Sequence, residues 1–228
     1  MNALKRLMSA LFAIIFRSRD AQSRDVHDKV QLWEGGPYWA TTNIGAEKPS
    51  DSGFYFWWGD TIGYKRENDA WVASDGSSSN FAFGSAVTPT YKKNLDALQG
   101  EGWVTADGIL APEHDVAHVK WGGGWRLPTK EELSDLTKNC DWAWGTLNGM
   151  NGYTICGRGA YASSSIFLPA AGGGRRSSAE ESGERGRYWS SSTKSSNTYG
   201  WHITFDQGRP LLSERDRFNG HTIRPVLG

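Results

Sequence analysis

The chain has little of what usually announces chemistry. Its 228 residues include two cysteines, Cys140 and Cys156. That is too few for the disulfide framework of a small secreted scaffold, and one bridge or two free thiols both remain open. No sign of charge is in excess, since 25 Lys and Arg balance 25 Asp and Glu. Proteins that track a nucleic-acid backbone usually carry a basic surplus, so no nucleic-acid partner is expected. The apolar run at residues 7–16 falls short of the about 20 residues that cross a bilayer. Nucleophile elbows, phosphate-binding glycine loops and the HExxH zinc motif are all missing. Residues 30–228 contain neither an internal repeat nor a convincing linker.

Aromatic residues and glycine are abundant. Aromatics make up 13% of the chain, with 12 Trp, and there are 28 Gly against eight Pro. Such a chain can bury enough surface to fold, which excludes disorder. Its frequent glycines suit tight turns better than a helix bundle.

Residues 1–16 (MNALKRLMSALFAIIF) pair a basic start with an apolar stretch. Residues 1–29 therefore read as a signal or anchor, or as an amphipathic helix that packs on the domain, on a second copy or on a membrane surface. Both readings stay open, as does the oligomeric state.

Residues 30–44 (VQLWEGGPYWATTNI) predict a hairpin around Gly-Gly-Pro, and residues 54–58 (FYFWW) a short aromatic strand. From Thr61 to about Gly108 the chain is polar and punctuated, which predicts long loops pinned by Trp71, Phe81, Phe83 and Trp103. Two helices are expected, at residues 112–119 and 129–139. In the second, Thr129 and Glu132 form a capping box ahead of Leu133 and Leu136. After Cys140 the sequence is β-rich. Residues 199–206 alternate, so that Tyr199, Trp201, Ile203 and Phe205 should face a core, with Gly200, His202, Thr204 and Asp206 outward. The layout is α+β, with mostly antiparallel, irregular sheets and long loops.

Candidate catalytic groups do not assemble. His114 and His118 have the i, i+4 spacing of a metal pair, but no third ligand is evident, and a solvated helix face is the expectation. Glu131/Glu132 and Glu180/Glu181 read as capping and solvation. No catalytic residue, metal or cofactor is expected.

A resemblance then emerges from WGGGWRLPT (121–129), IFLPAAG (166–172), YWSSS (188–192) and IRPV (223–226), preceded by Asn43–Gly45 and DSGFYFWWG (51–59). In this order they resemble the FISUMP-type domains of bacteria, a branch of the C-type-lectin fold related to the formylglycine-generating-enzyme family. The resemblance spans about residues 30–228 and implies a C-type-lectin-like domain whose last strand returns beside its first. It does not extend to the fold's familiar activities. The Pro-flanked acid/amide pair and Trp-Asn-Asp triplet of calcium-dependent lectins are missing, and Cys140 and Cys156 precede the region where formylglycine-generating enzymes carry their reactive pair.

The same architecture resembles the variable proteins of diversity-generating retroelements, which randomise surface positions near the C-terminus at adenine-rich codons. In FDQGRPLLSERDRFNGHTIR (205–224), the framework residues Phe205, Arg217, Asn219, Gly220 and Arg224 alternate with Asp206, Arg209, Leu211, Ser213, Arg215, Asp216, Phe218 and His221. All of the latter belong to the set such codons can yield. With Arg175, Arg176, Arg187, His202 and Thr204 they form the expected ligand-binding surface, within residues 174–221 and held up by Trp125, Trp189, Trp201 and Phe205. The resemblance implies a diversified, non-catalytic binder of a protein or glycan on a cell or phage surface, located at a cell surface, secreted or on a virion. A fixed-specificity adhesin or carbohydrate-binding module is the alternative, and a formylglycine-generating-type enzyme stands behind both.

Overall fold

The computed structural model describes residues 27–77, 83–84, 88–176, 178–193 and 198–228. The apolar segment at residues 1–16 and the loop aromatic Phe81 lie outside them. Strands β1 (Lys29–Gln31) and β2 (Tyr38–Ala40) form the N-terminal hairpin, followed by β3 (Tyr64–Glu67) and β4 (Ala70–Ala73). Helix α1 (Leu95–Gly100), a 3-10 turn (Pro112–His114), helix α2 (Val116–Trp121), β5 (Trp125–Arg126) and helix α3 (Lys130–Asn139) come next. The rest is β: β6 (Asp141–Leu147), β7 (Met150–Cys156), β8 (Ser165–Pro169), β9 (Gly173–Arg175), β10 (Ser178–Glu180), β11 (Gly186–Thr193), β12 (Tyr199–Phe205), β13 (Pro210–Asp216) and β14 (Val226–Leu227).

The pairings between these strands are antiparallel, in sheets ordered β1-β2-β14-β5, β6-β7-β8, β11-β12-β13, β3-β4 and β10-β9. This is the mostly antiparallel α+β arrangement that the sequence predicts. Strand β14 pairs with β2 through Val226 and Trp39, so the last described strand lies beside the second strand of the N-terminal hairpin rather than beside β1.

Local chemistry explains the best-defined elements. The Thr129 hydroxyl accepts from the Glu132 N–H at 3.2 Å, and the Glu132 carboxylate accepts from the Thr129 N–H at 2.8 Å, completing the capping box of α3. Glu132 also takes a bidentate pair from Arg126, at 2.6 and 2.7 Å, tying the WRLP turn to the helix. Leu133 and Leu136 then bury against Tyr153, Ile155, Ile203 and Phe205 in one core cluster. A second cluster gathers Phe56, Trp58, Leu110, Val116, Leu127 and Trp189, and a third surrounds Phe83 with Tyr55, Tyr64 and Trp71.

Several expectations need correction. The stretch read as loops holds the β3–β4 hairpin and α1, so three α-helices occur among the described residues instead of two. The hairpin turns at Asn68 and Asp69, both with positive φ, and α1 is capped by the Asn94 side chain accepting from Ala97 N–H at 2.9 Å. The helix expected over residues 112–119 is a 3-10 turn followed by α2, with Asp115 capping α2 through Ala117 and His118 N–H. Residues 54–58 make isolated bridges, Tyr55 to Tyr64 and Phe56 to His221, rather than a strand.

Candidate functional site

The β11-β12-β13 sheet has one face on α3 and the first core cluster, through Tyr188, Ile203, Leu212 and Phe205. The register decides what the other face carries. Arg187 lies opposite Thr204, and Thr204 opposite Leu211. Trp189 lies opposite His202, and His202 opposite Ser213, while Gly200 lies opposite Arg215. Because side chains alternate along a strand, Arg187, His202, Thr204, Leu211, Ser213 and Arg215 share this second face.

Its inner part is covered. Trp58 packs so closely that a Cβ on Gly200 would meet its ring at 2.9 Å. Trp58 Nε1 donates to the Ser190 carbonyl at 2.9 Å, and Trp189 Nε1 to the Phe56 carbonyl at 2.9 Å. His221 stacks on Trp189 with centroids 4.0 Å apart, and His202 stands 4.9 Å from His221. Beneath this layer the fully buried Arg217 lies over the Trp58 ring and donates to the carbonyls of Thr90, Lys93 and Tyr199 and to the Thr193 hydroxyl. Its outer part, along the edge strand β13, is open, with Leu211 53% exposed and Arg215 exposed.

The predicted site residues therefore divide. Arg187, Thr204, Leu211, Ser213 and Arg215 come together on the sheet face. Asp206 and Arg209 extend it around the β12–β13 turn, where a groove of about 470 Å³ runs between Arg185, Thr204, Arg209 and Leu211. Asp206 pairs with Arg185 at 3.2 Å and accepts from Gly208 N–H, contacts that hold its carboxyl below the usual carboxylate range, the backbone bond foremost. Arg175 reaches the same face from β9. Arg176 is exposed, with φ of 51°, and its backbone bridges to Phe83.

Four others are not on this open surface as expected. His202 and His221 are 3% and 1% exposed, not outward. Desolvation, reinforced by the arginines nearby, lowers the pKa of His202 to about 3 and that of His221 far below its ordinary value, so both rings are neutral. Asp216 pairs with Tyr199, on the opposite alternation from Leu211 and Arg215. Phe218 is half-buried against Tyr91, centroids 5.2 Å apart. The expected inward set on β12 is likewise corrected. Tyr199 is exposed and Trp201 half-buried beneath the Lys130 ammonium, while Gly200 and His202 are buried, because both faces of this central strand are partly covered.

Glu180 and Glu181, read from the sequence as capping and solvation, and Asn219, read as framework, stand among the arginines instead. The Glu181 carboxylate accepts from Arg187 and from Arg185, and Glu180 lies 3.8 Å from Arg175. The signal in the sequence is the run Gly172–Gly174, which permits close approach of the backbone to its neighbours. These glycines let the β9–β10 hairpin lie close to its neighbours, since a Cβ on Gly173 would meet the Arg187 side chain of β11 at 3.0 Å and one on Gly174 the Phe83 ring at 2.4 Å.

The other chemical candidates are held in structure. His114 stacks on Trp103 at 3.8 Å and sits on the 3-10 turn rather than on the helix of His118. Both cysteines are free thiols, and burial pushes that of Cys140 up to about 11. Comparison of the chain with family models, curated proteins and solved structures finds no match.

Proposed function

We propose that this chain is a non-catalytic ligand-binding protein, a variable protein of a diversity-generating retroelement that presents exchangeable residues on a C-type-lectin-like scaffold. The observation that carries the reading is the division of labour on one sheet. Outward positions of β13 (Leu211, Ser213, Arg215) stand beside Arg187 and Thr204, while the buried Trp58, Trp189 and Arg217 hold the backbone beneath. A rigid frame lowers the ordering cost of binding, and an open strand edge bearing Arg, Leu and Ser can adapt to a macromolecular surface.

The scaffold half of the reading draws support from the contacts between the recurring sequence pieces. Ser191 N–H donates to the Pro128 carbonyl at 2.8 Å, and Lys130 N–H to the Ser192 hydroxyl at 2.9 Å, so YWSSS is stitched to WRLPT. Burial of Cys140, which pushes its thiol up to about 11, argues against Cys140 as a reactive thiol. The partner is a protein or glycan on a cell or phage surface.

The test lies in the DNA around the coding sequence. A reverse-transcriptase gene and an Asn-codon-rich near-copy of the segment encoding β13 and the following loop are the expected finding. A neighbourhood with neither overturns diversification and leaves a fixed-specificity adhesin.

A further inference from the structure

Arg175 of β9, Arg187 of β11 and Arg215 of β13 come from three different strands to line one small cleft, whose cavity volume is about 20 Å³. Glu180, Asn219, His221 and the backbone at Gly173 and Gly174 complete the lining. Two of the arginines are partly neutralised, Arg187 by Glu181 and Arg175 by Glu180 at 3.8 Å. Arg215 has no acidic partner among the described residues.

His221 is 1% exposed, and its Nδ1 makes no hydrogen bond. His202, which packs against it, is 3% exposed with Nδ1 likewise unmatched. Buried polar atoms without partners are rare, and two on adjacent rings beside an open cleft call for an occupant. A cation is disfavoured by three guanidiniums, and no group of three His, Cys, Asp or Glu among the described residues could hold a metal. An anion suits both features, because guanidinium and neutral imidazole each offer N–H donors. Among anions, a planar carboxylate presents two oxygens that a guanidinium grips with two parallel bonds.

We infer that this cleft is a carboxylate-binding site, in which Arg215 and Arg187 hold a single carboxylate over the His221–Trp189 stack. The inference rests on the reading of this face as a ligand-binding surface and names the group that surface selects. A side-chain carboxylate on the ligand and a free small carboxylate present the same chemistry. Glu180 competes with either for the arginines.

The test is a titration of the full chain with sodium acetate against sodium chloride at equal ionic strength. It is followed by thermal unfolding and by ¹H–¹⁵N spectra of the histidine rings. The expected result is a saturable rise in Tm with acetate alone, accompanied by a shift of the His221 ring nitrogens. Arg215→Ala, an exposed position, should weaken acetate at least about threefold. Glu180→Gln should tighten it, and His221→Phe, which keeps the stack on Trp189, should abolish the response. Acetate that acts no differently from chloride, or that binds Arg215→Ala as well as the parent, overturns the site and leaves a water as the occupant.

Comparing acetate with N-acetylglutamate amide separates a free carboxylate from one carried on a chain. Leu211→Ser, on the same face but outside the cleft, should leave acetate binding unchanged. If acetate binds while the surrounding DNA shows no diversifying element, only the broader reading fails. If the DNA element is present and acetate is inert, only the site fails.

Discussion

Arg224 Nε donates to Asn43 Oδ1 at 2.9 Å, and the two side chains are 1% and 0% exposed. Three further bonds leave the same guanidinium, to the carbonyls of Ala40, Thr41 and Phe167 at 2.9–3.1 Å. Asn43 in turn donates to the Ser52 carbonyl at 2.9 Å and to the Tyr188 hydroxyl at 3.3 Å. One buried cation, whose pKa burial lowers to about 10, thus joins the N-terminal hairpin, β8 and the last strand through neutral acceptors. The frame beneath the candidate site depends on this clamp.

Replacing Arg224 with Met should therefore cost about 3–5 kcal/mol, because it strands several buried acceptors at once. Lys at the same position should also destabilise, since an ammonium cannot span acceptors the way a planar fork does. Urea unfolding of both variants checks this, and a loss below about 1 kcal/mol for Arg224→Met would show that the clamp is not structural.

The buried histidines make stability depend on pH with a definite sign. In the unfolded chain His202 titrates near its ordinary value of about 6.5, whereas in the folded protein it titrates at about 3. Between these values the unfolded state holds a proton that the folded state lacks. The stabilisation is thus complete above about pH 6.5 and is lost as pH falls toward 3. Asp60 acts in the opposite sense: desolvation raises its carboxyl to about 6, so the folded state holds the extra proton there. The difference between variants isolates the histidine. His202→Phe should lower the slope of stability against pH, between pH 4.5 and 6, by about 1.4 kcal/mol per unit relative to the parent. Parallel curves from urea unfolding would mean that His202 titrates freely in the folded protein.

Sequence reading succeeded where the cause of structure is local. The α3 capping box, the N-terminal hairpin around Gly35 and Gly36, and the bounds of β12 rest on residues a few positions apart. It failed where a distant segment supplies the cover. Nothing near Gly200 and His202 indicates that Trp58 and His221 will close over them, so a polar ring in an alternating strand reads as outward. The β3–β4 hairpin did carry a turn signal in Asn68-Asp69, but its polar surroundings hid the strands. Of the site, the edge-strand positions were legible and the acidic partners from β10 and its following turn were not, since their proximity to Arg175 and Arg187 is a product of topology.

The helix that supports the opposite face offers a local check. Thr129→Ala removes the hydroxyl that accepts from Glu132 N–H and should cost about 1 kcal/mol. Glu132→Ala removes both the reciprocal cap and the Arg126 pair, at 19% and 32% side-chain exposure, and should cost more than Thr129→Ala. Thermal unfolding that ranks the two variants in the reverse order would contradict this account of how α3 is fixed to the WRLP turn.

The sharpest contrast lies between the frame and the face it carries. Leu211, Ser213 and Arg215 lie on an edge strand with their side chains on the open side, so exchanging them for Tyr, Asn or His should move stability by no more than about 0.5 kcal/mol each. One residue pair away, Phe205 is 1% exposed, stacks on Tyr188 at 5.9 Å and meets Tyr153 edge-on at 5.4 Å. Phe205→Ala should cost about 3–5 kcal/mol by opening a cavity between the sheet and α3. Combining exchanges at Leu211 and Arg215, which lie four residues apart, should give nearly additive small effects if they share no buried partner. Thermal unfolding of the single and combined variants decides the matter. Losses at Leu211, Ser213 or Arg215 comparable with that at Phe205 would mean that the outer face is itself part of the frame, and a surface of that kind could not be diversified without unfolding the protein.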